Sequence, residues 1–177
     1  MRKPFFRPLL LSLVLVAACN TATPPTLEEF SSENGGFAIS TPLTLEESVQ
    51  SVDTAVGPIE IHTFTGENRN AAYVVAYSDY PAEMVSQVDP TMLLDGSRDG
   101  AVQNVNGTLV SEETLDLNGN PGRSLVIDAT TDTGEDATVN AHLYLVENRL
   151  YQVLVVVPKG KEEGVDIAGF LDSFSLE

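Results

Sequence analysis

The thiol of Cys19 is the most reactive side chain in this sequence, and Cys19 is the chain's single cysteine. Two small residues, Ala17 and Ala18, precede it, and an apolar run of ten residues from Leu9 to Ala18 is interrupted only by Ser12. Three cations stand before that run, namely Arg2, Lys3 and Arg7. This order is typical of an export signal, because a lasting membrane span takes about 20 apolar residues. A thiol at the end of such a signal is placed for alkylation.

The tetrad Val16-Ala17-Ala18-Cys19 resembles the bacterial lipobox. The resemblance implies that the Cys19 thiol receives a diacylglyceryl group and that the chain is cut after Ala18. The new amine can then be acylated, for example with palmitate. Each buried methylene contributes about 0.8 kcal/mol and stable anchoring takes at least two chains. We therefore predict a bacterial lipoprotein anchored through Cys19. The alternative is an ordinary signal peptide in which Cys19 is incidental.

The predicted location follows from that anchor. We expect an exported protein whose domain faces the periplasm, a lumen or the exterior. The sequence leaves open whether the inner, outer or thylakoid membrane holds it.

The charge balance becomes more acidic if the signal is removed. The whole chain has 9 Lys and Arg against 26 Asp and Glu, a net charge of −17. Residues 1–18 contain three of the cations and none of the acids, so the remaining 159 residues carry a net charge of −20. Such a surface repels nucleic-acid phosphates and anionic lipid headgroups. We predict no nucleic-acid partner, membrane attachment through the lipid alone, and a protein partner of unknown identity. A salty habitat or a basic partner would each explain the acidity.

Catalytic chemistry has few candidate residues. His62 and His142 are the only histidines, and a working pair would have to lie on adjacent strands beside a carboxylate such as Glu60. Exposed strand histidines are the simpler interpretation. The sequence contains no nucleophile elbow, Walker loop or dinucleotide-binding glycine motif. No cysteine follows Cys19, which excludes thiolate catalysis and thiolate metal sites. We predict that the protein is not an enzyme and has no catalytic residues, cofactor or metal site.

Two acidic loops keep an alternative open. Residues Asp116 to Asn120 and Asp128 to Asp136 place oxygen ligands at alternate positions, which suits hard cations such as Ca²⁺. Neither loop has the spacing of an EF-hand, and hairpin turns explain both. The segment Asp95 to Asp99 is better explained as the surface of a helix. The alternative function is therefore an acidic envelope lipoprotein that binds a ligand or a divalent cation.

The five tyrosines are interpreted mainly as packing residues. Tyr73, Tyr77 and Tyr151 lie in apolar runs, where a ring at the edge of the core with its hydroxyl facing outward is common. Tyr80 and Tyr144 are candidates for lining a groove.

The elements around these residues predict one domain. Asn20 to Thr26 is polar and contains two prolines, which favours an extended path. We predict a signal peptide at 1–18, the lipidated Cys19 and a flexible tether at 19–34, and a single domain at 35–177. One helical turn is expected at 27–30. A chain of this length is short for two domains.

Short alternating runs after Gly36 predict about eight strands, mostly joined antiparallel. The runs are 36–40, 45–54, 58–66, 71–80, 107–117, 122–130, 137–148 and 149–157. Tight turns are expected at Asn118 to Pro121, because Asn and Gly tolerate positive φ, and at Asn148-Arg149. Apolar residues at helical spacing predict helices at 90–105, with Leu94, Ala101, Val102 and Val105 on one face, and at 164–174. The result is an α+β domain, an antiparallel β-sheet of six to eight strands flanked by two main helices.

Five segments in this order carry a family resemblance: GFAISTP, YVVAYSDYP, LNGNPGR, NRLYQVLVVVP and FLDSFSL. Together they resemble the Mog1/PsbP/DcrB-like fold over residues 35–177, an α/β/α sandwich. The resemblance implies a non-catalytic domain that docks on a larger assembly, such as a photosystem or a GTPase. No residue matches a partner-binding motif of the family. We therefore predict a lipid-anchored, non-catalytic envelope domain that docks to or helps assemble a membrane protein complex.

Overall fold

The computed structural model describes residues 26–54, 57–131 and 133–177, so Cys19, the predicted signal and residues 20–25 of the tether lie outside the described residues. The described chain forms ten strands and three helices. They are β1 Glu28–Ser32, β2 Phe37–Thr41, β3 Glu46–Thr54, β4 Gly57–Glu67, β5 Ala72–Asp79, α1 Ala82–Val85, α2 Pro90–Asn104, β6 Thr108–Leu117, β7 Asn120–Thr130, β8 Asp136–Val146, β9 Arg149–Pro158, α3 Ile167–Leu171 and β10 Ser175–Leu176.

The strands form two antiparallel sheets. The large sheet has seven strands in the order β3-β4-β5-β9-β8-β7-β6, and the small sheet has the order β1-β2-β10. The chain leaves β5 near the middle of the large sheet, forms α1 and α2, and enters β6 at the far edge. Three hairpins then lead back from β6 to β9, which pairs with β5. The ends of β5 and β9 are thereby brought together although they are distant in sequence.

The large sheet separates two hydrophobic clusters, because side chains alternate between its faces. One face packs against the small sheet and α3 through an aromatic cluster that includes Phe37, Phe170 and Phe174. The other face packs against α2, whose Leu94 and Ala101 are buried with aliphatic residues of β7 and β8. Full burial of such a side chain contributes about 1.5–3 kcal/mol.

The predicted antiparallel sheet is confirmed, and the two flanking helices are found only in part. Helix α2 has 15 residues, close to the prediction, but α3 has only five. The predicted helix at 164–174 is shortened at both ends. Asp166 caps α3 by accepting from the Gly169 amide at 2.9 Å, and Ser175 and Leu176 pair with β2 instead.

The start of the domain also differs from the prediction. Residues 28–32, assigned to the tether and in part to a helical turn, form β1 and pair with β2 from Glu28↔Thr41 to Ser32↔Phe37. The Phe30 ring lies 5.5 Å from that of Phe64, so strand pairing lets it join the aromatic cluster. The hairpin between β8 and β9 turns at 147–148, one residue earlier than predicted, and Glu147 has φ 54° there.

None of the helices in the described ranges combines the length and the apolar composition that crossing a bilayer requires.

Candidate functional site

A stack of aromatic and charged side chains lies at the end of the large sheet where β5 terminates. Tyr77 on β5 stands between His62 on β4 and Arg149 on β9. The rings of His62 and Tyr77 are parallel within 4°, with centroids 4.5 Å apart. The Arg149 guanidinium carbon lies 4.4 Å from the Tyr77 centroid, within the range of a cation–π contact. We call the group formed by Glu47, His62, Tyr77, Asp79 and Arg149 the Tyr77 stack.

Arg149 is held by partners on all three of its guanidinium nitrogens. Nε and Nη2 donate to the two Asp79 oxygens at 2.6 and 2.8 Å, and Nη1 donates to the carbonyls of Asn34 and Gly35 at 3.0 Å each. The hydrogen bond from Arg149 lowers the pKa of Asp79, and the same bond raises the pKa of Arg149. The guanidinium therefore connects the β1–β2 turn to the large sheet and is not free to bind an anion.

His62 extends the Tyr77 stack to the edge of the sheet. Its Nδ1 lies 3.0 Å from Oε1 of Glu47 on β3. A carboxylate only accepts, so Nδ1 carries the donated proton. The side chains of His62, Glu47 and Asp79 are 24%, 46% and 50% exposed, whereas Tyr77 is buried. Burial is the main reason why the pKa of Tyr77 is raised.

An open cleft of about 180 Å³ adjoins the Tyr77 stack and is lined by Pro58, Ile59, Glu60, His62 and Asp79. It forms because β4 continues beyond the end of β5, whose pairing with β4 begins only at Ile61↔Ser78. The exposed carboxylates of Glu47, Glu60 and Asp79 thus lie around the partly exposed His62 ring, which stacks on the buried Tyr77. This arrangement is suited to binding a cationic group from a partner.

The two histidines do not form the pair considered from the sequence. His62 lies on β4 and His142 on β8, three strand spacings apart, or about 14 Å. Glu47 and not Glu60 contacts His62. His142 is buried, its Nδ1 lies 3.2 Å from the Tyr144 hydroxyl, and burial lowers its pKa. Among the described residues, no group of three or more His, Cys, Asp or Glu side chains could hold a metal ion.

The acidic loop at Asp116 to Asn120 is a tight hairpin turn. Asp116 accepts from the Gly119 amide at 2.8 Å, and the Asn120 side chain donates to the Leu117 carbonyl at 2.9 Å. Asn118 and Gly119 have φ of 55° and 88°, which is the positive φ that the sequence predicted. The side-chain oxygens of this loop serve the turn itself.

The other acidic segments are paired as well. Asp128 lies 3.2 Å from the Lys159 ammonium, and Asp132 is outside the described residues. Asp95 pairs with Arg98 one turn along α2 at 3.2 Å, which places this segment on a helix surface as predicted.

The tyrosines are distributed between the core and the groove differently from the prediction. Tyr73, Tyr77 and Tyr151 are buried, and the Tyr151 hydroxyl donates inward to the Gly35 carbonyl at 2.7 Å instead of facing outward. Tyr144 is also in the aromatic cluster. Tyr80 does line a groove, of about 290 Å³, between α2 and β9.

Sequence reasoning missed Asp79, Arg149 and Glu47. One signal was present: Asp79 is the second-to-last residue of the predicted strand 71–80 and Arg149 begins the predicted strand 149–157, so the two come close together if those strands are antiparallel neighbours. Only the register shows that they are, with Asp79↔Arg149 as the last pair between β5 and β9.

No family model and no curated protein matches the sequence. Among solved structures, a protein of unknown function from Pseudomonas aeruginosa is similar over 77% of this chain and 86% of its own, at 8% identity and a TM-score of 0.36, which is too low to support an argument. The solution structure of cyanobacterial PsbP (CyanoP) from Synechocystis sp. PCC 6803 is similar over 92% of this chain and 99% of its own, at 13% identity and a TM-score of 0.56. The chain therefore has a PsbP-like fold, as the sequence predicted.

Proposed function

We propose that this protein is a lipid-anchored, non-catalytic envelope domain that docks to or helps assemble a membrane protein complex. The observation that carries the proposal is that the Tyr77 stack and the start of the described chain lie at opposite ends of the large sheet. Thr26 lines a cleft together with Pro42 and Thr44, and Thr44 is next to Gly66 on β4. Glu60 lies six residues earlier on the same strand, about 20 Å away.

This geometry would direct the Tyr77 stack away from the bilayer. A lipid on Cys19 would be joined to the domain by residues 20–26, which span at most about 25 Å. The end of the sheet near Thr26 would then face the membrane, and the acidic end would face a protein neighbour. Three of the cations, Arg69, Lys159 and Lys161, follow β4 and β9 at the same end of the sheet as Thr26, where they would approach the membrane. The PsbP-like fold fits this role, since the resemblance implies docking domains.

The test uses membranes from cells that produce the full chain with a photocrosslinking residue at position 60, beside the cleft. The chain with Cys19 is expected in the membrane fraction, with a diacylglyceryl mass on its amino-terminal residue. It is also expected to give a discrete adduct with one membrane protein. Cys19→Ala should move the protein to the soluble fraction and abolish the adduct, because the docking surface is no longer held beside its partner.

Asn20→Ala is the matched control, since it changes the neighbouring residue and leaves the thiol. It should retain both anchoring and adduct. Equal membrane retention of Cys19→Ala, or an unmodified amino terminus in the Cys19 protein, would contradict lipid anchoring. An adduct from a crosslinker at position 69 and none from position 60 would contradict docking through the acidic end.

A further inference from the structure

β3 is an unprotected edge of the large sheet. It pairs with β4 without a bulge over nine residue pairs, from Glu46↔Thr65 to Thr54↔Gly57, and no described residue pairs with its outer side. Every residue of β3 is exposed. Edge strands are commonly protected by proline, lysine, bulges or short length, because their free backbone groups template the addition of another strand. β3 has none of these four features.

The opposite edge, β6, has one of these four features. Its register with β7 shifts between Leu109 and Ser111, which marks a bulge or irregularity. Its Glu112 also lies 3.1 Å from Arg98 of α2 and 2.9 Å from Arg123 of β7, so ion pairs hold this part of β6. The two edges of one sheet therefore differ in their readiness to accept a strand.

The position of Pro58 identifies the free backbone groups of β3. Hydrogen-bonded and non-hydrogen-bonded pairs alternate along an antiparallel ladder. Asp53↔Pro58 belongs to the second kind, because proline has no N–H to donate. Alternation then directs the backbone N–H and C=O of Glu47, Val49, Ser51 and Asp53 away from β4.

The side chains of these four residues also share one face, the face of the Tyr77 stack, since Glu47 contacts His62 and Val49 is paired with it. In order along the edge, these side chains are acidic at 47, apolar at 49, small at 51 and acidic at 53. Val49 is 54% exposed, among the most exposed large apolar residues of the described chain. A complementary strand would carry cations at both ends and a β-branched residue in the middle.

A second copy of this chain is a poor occupant. A two-fold axis at Gln50 would place Glu47 opposite Asp53, and like charges directly opposite each other destabilise a strand pair. Two chains that each carry a net charge of −17 or lower would also repel. Charge complementarity therefore favours a basic partner.

We infer that β3 is a docking edge for an extended, net-basic segment of a partner protein, which adds to the large sheet as an eighth strand beside the Tyr77 stack. The inference rests on the proposed function in taking this segment to belong to the docked partner. Main-chain hydrogen bonds would supply affinity, and the alternating side chains of the added strand would supply specificity.

The test measures binding of a fluorescent peptide, Lys-Thr-Val-Thr-Val-Thr-Lys, to the full chain purified in mild detergent, by fluorescence anisotropy at low salt. Its lysines are spaced to meet Glu47 and Asp53 in either strand direction. A peptide with Glu in place of both Lys should bind about tenfold more weakly or worse, because charge complementarity across the edge becomes repulsion. Equal binding of the two peptides would overturn the inference.

Val49→Pro tests the backbone contact. It removes an outward N–H and leaves the β3–β4 ladder intact, so affinity should fall about fivefold or more. Thr114→Pro is the matched control on β6, where Asp116↔Pro121 fixes the same alternation. Its affinity should stay within about twofold, since surface changes away from an interface have small effects. Hydrogen exchange of β4 amides reports whether each variant keeps the ladder.

Glu47→Lys combined with Asp53→Lys provides a second route if Val49→Pro disturbs the fold. This double variant should bind the Glu-ended peptide and lose the Lys-ended one. If the double variant does not change its preference from the Lys-ended to the Glu-ended peptide, β3 is not the binding surface. A position-60 membrane adduct without peptide binding would overturn this inference and leave docking intact. If the purified full chain carries no lipid but still binds the peptide, the proposed anchor is wrong and β3 remains the docking edge.

Discussion

At the scale of single residues, the Tyr77 stack depends most on Arg149. One guanidinium binds the Asp79 carboxylate through two nitrogens, donates to two backbone carbonyls and lies on an aromatic ring. Only a planar group with several fixed donors can make these contacts together. The contacts join the β1–β2 turn to β5 and β9, so a local change there should affect the stability of the whole domain.

Arg149→Lys should therefore destabilise the protein although it keeps the charge. We expect a loss of about 1–2 kcal/mol in the free energy of unfolding, measured by urea denaturation; the half-exposed Asp79 keeps the loss small. Arg69→Lys, in the exposed turn between β4 and β5, is the control and should change stability by less than about 0.5 kcal/mol. Equal stability of the two variants would refute the role assigned to Arg149.

His142 should make stability depend on pH. Burial lowers its pKa in the folded state, a shift partly opposed by Asp172 and by a backbone hydrogen bond with Leu171. Below a pH of about 6.5 the unfolded histidine takes up a proton that the folded one does not. The unfolded state then binds more protons, so stability falls as pH decreases through that window.

His142→Gln removes this titration and should flatten the pH dependence. The measurement compares urea midpoints of the two proteins at pH 7.5 and pH 5.5. Comparing the difference between proteins cancels the contribution of the many carboxylates, which both proteins share. Identical slopes for the two proteins would show that burial of His142 has no energetic effect.

The charged members of the Tyr77 stack show how much of this site can be predicted from individual residues in the sequence. A histidine on a strand is visible in the sequence, and His62 was a candidate. Its true partner, Glu47, lies 15 positions away on the other side of a hairpin, and Glu60 was an equally reasonable choice. The contact is decided by the register of β3 with β4, which pairs Val49 with His62. Composition alone does not encode that register.

At the scale of elements, helix α2 begins where its capping residue predicts. Asp89 accepts from the Thr91 amide at 2.8 Å, and Pro90 occupies the first helical position, where its missing N–H costs nothing. Its two glycines do not break it. A Cβ built on Gly96 or Gly100 would meet nothing within 4 Å, so neither glycine is required by packing.

Gly96→Ala should therefore stabilise the protein by about 0.5–1 kcal/mol, because alanine loses less backbone entropy in a helix. Thermal or urea unfolding measures the change. Gly122→Ala on β7 should instead destabilise the protein, since its Cβ would lie 2.6 Å from the Leu143 carbonyl oxygen and the Tyr144 ring. A stabilising Gly122→Ala, or a destabilising Gly96→Ala, would contradict the packing described for these elements.

The strands that sequence reasoning missed, β1 and β10, share one property. Neither has a strong local pattern, and β10 has only two residues. Both form by pairing with β2, whose Phe37 and Ile39 are almost fully buried. Tertiary context thus overrides weak local preference, whereas the longer strands follow from their own alternation.

At the scale of the whole molecule, the sequence pattern did not predict the order of the strands in the large sheet. Alternation and turn residues predicted the hairpins, but the crossing from β5 through α2 to β6 decides that β9 returns beside β5. That adjacency brings Asp79 to Arg149 and completes the Tyr77 stack, whose other members come together on β3, β4 and β5. The proposed docking surface is a product of topology, and short motifs alone do not locate it.

The division of the core by the large sheet has an optical consequence. The chain has no tryptophan, and Tyr73, Tyr77, Tyr144 and Tyr151 all belong to the cluster beneath the small sheet, while Tyr80 alone packs on the α2 side. Near-ultraviolet circular dichroism and intrinsic emission therefore monitor one layer of the molecule. Detachment of α2 would change such spectra very little. A cooperative change in them would chiefly reflect unfolding of the aromatic cluster.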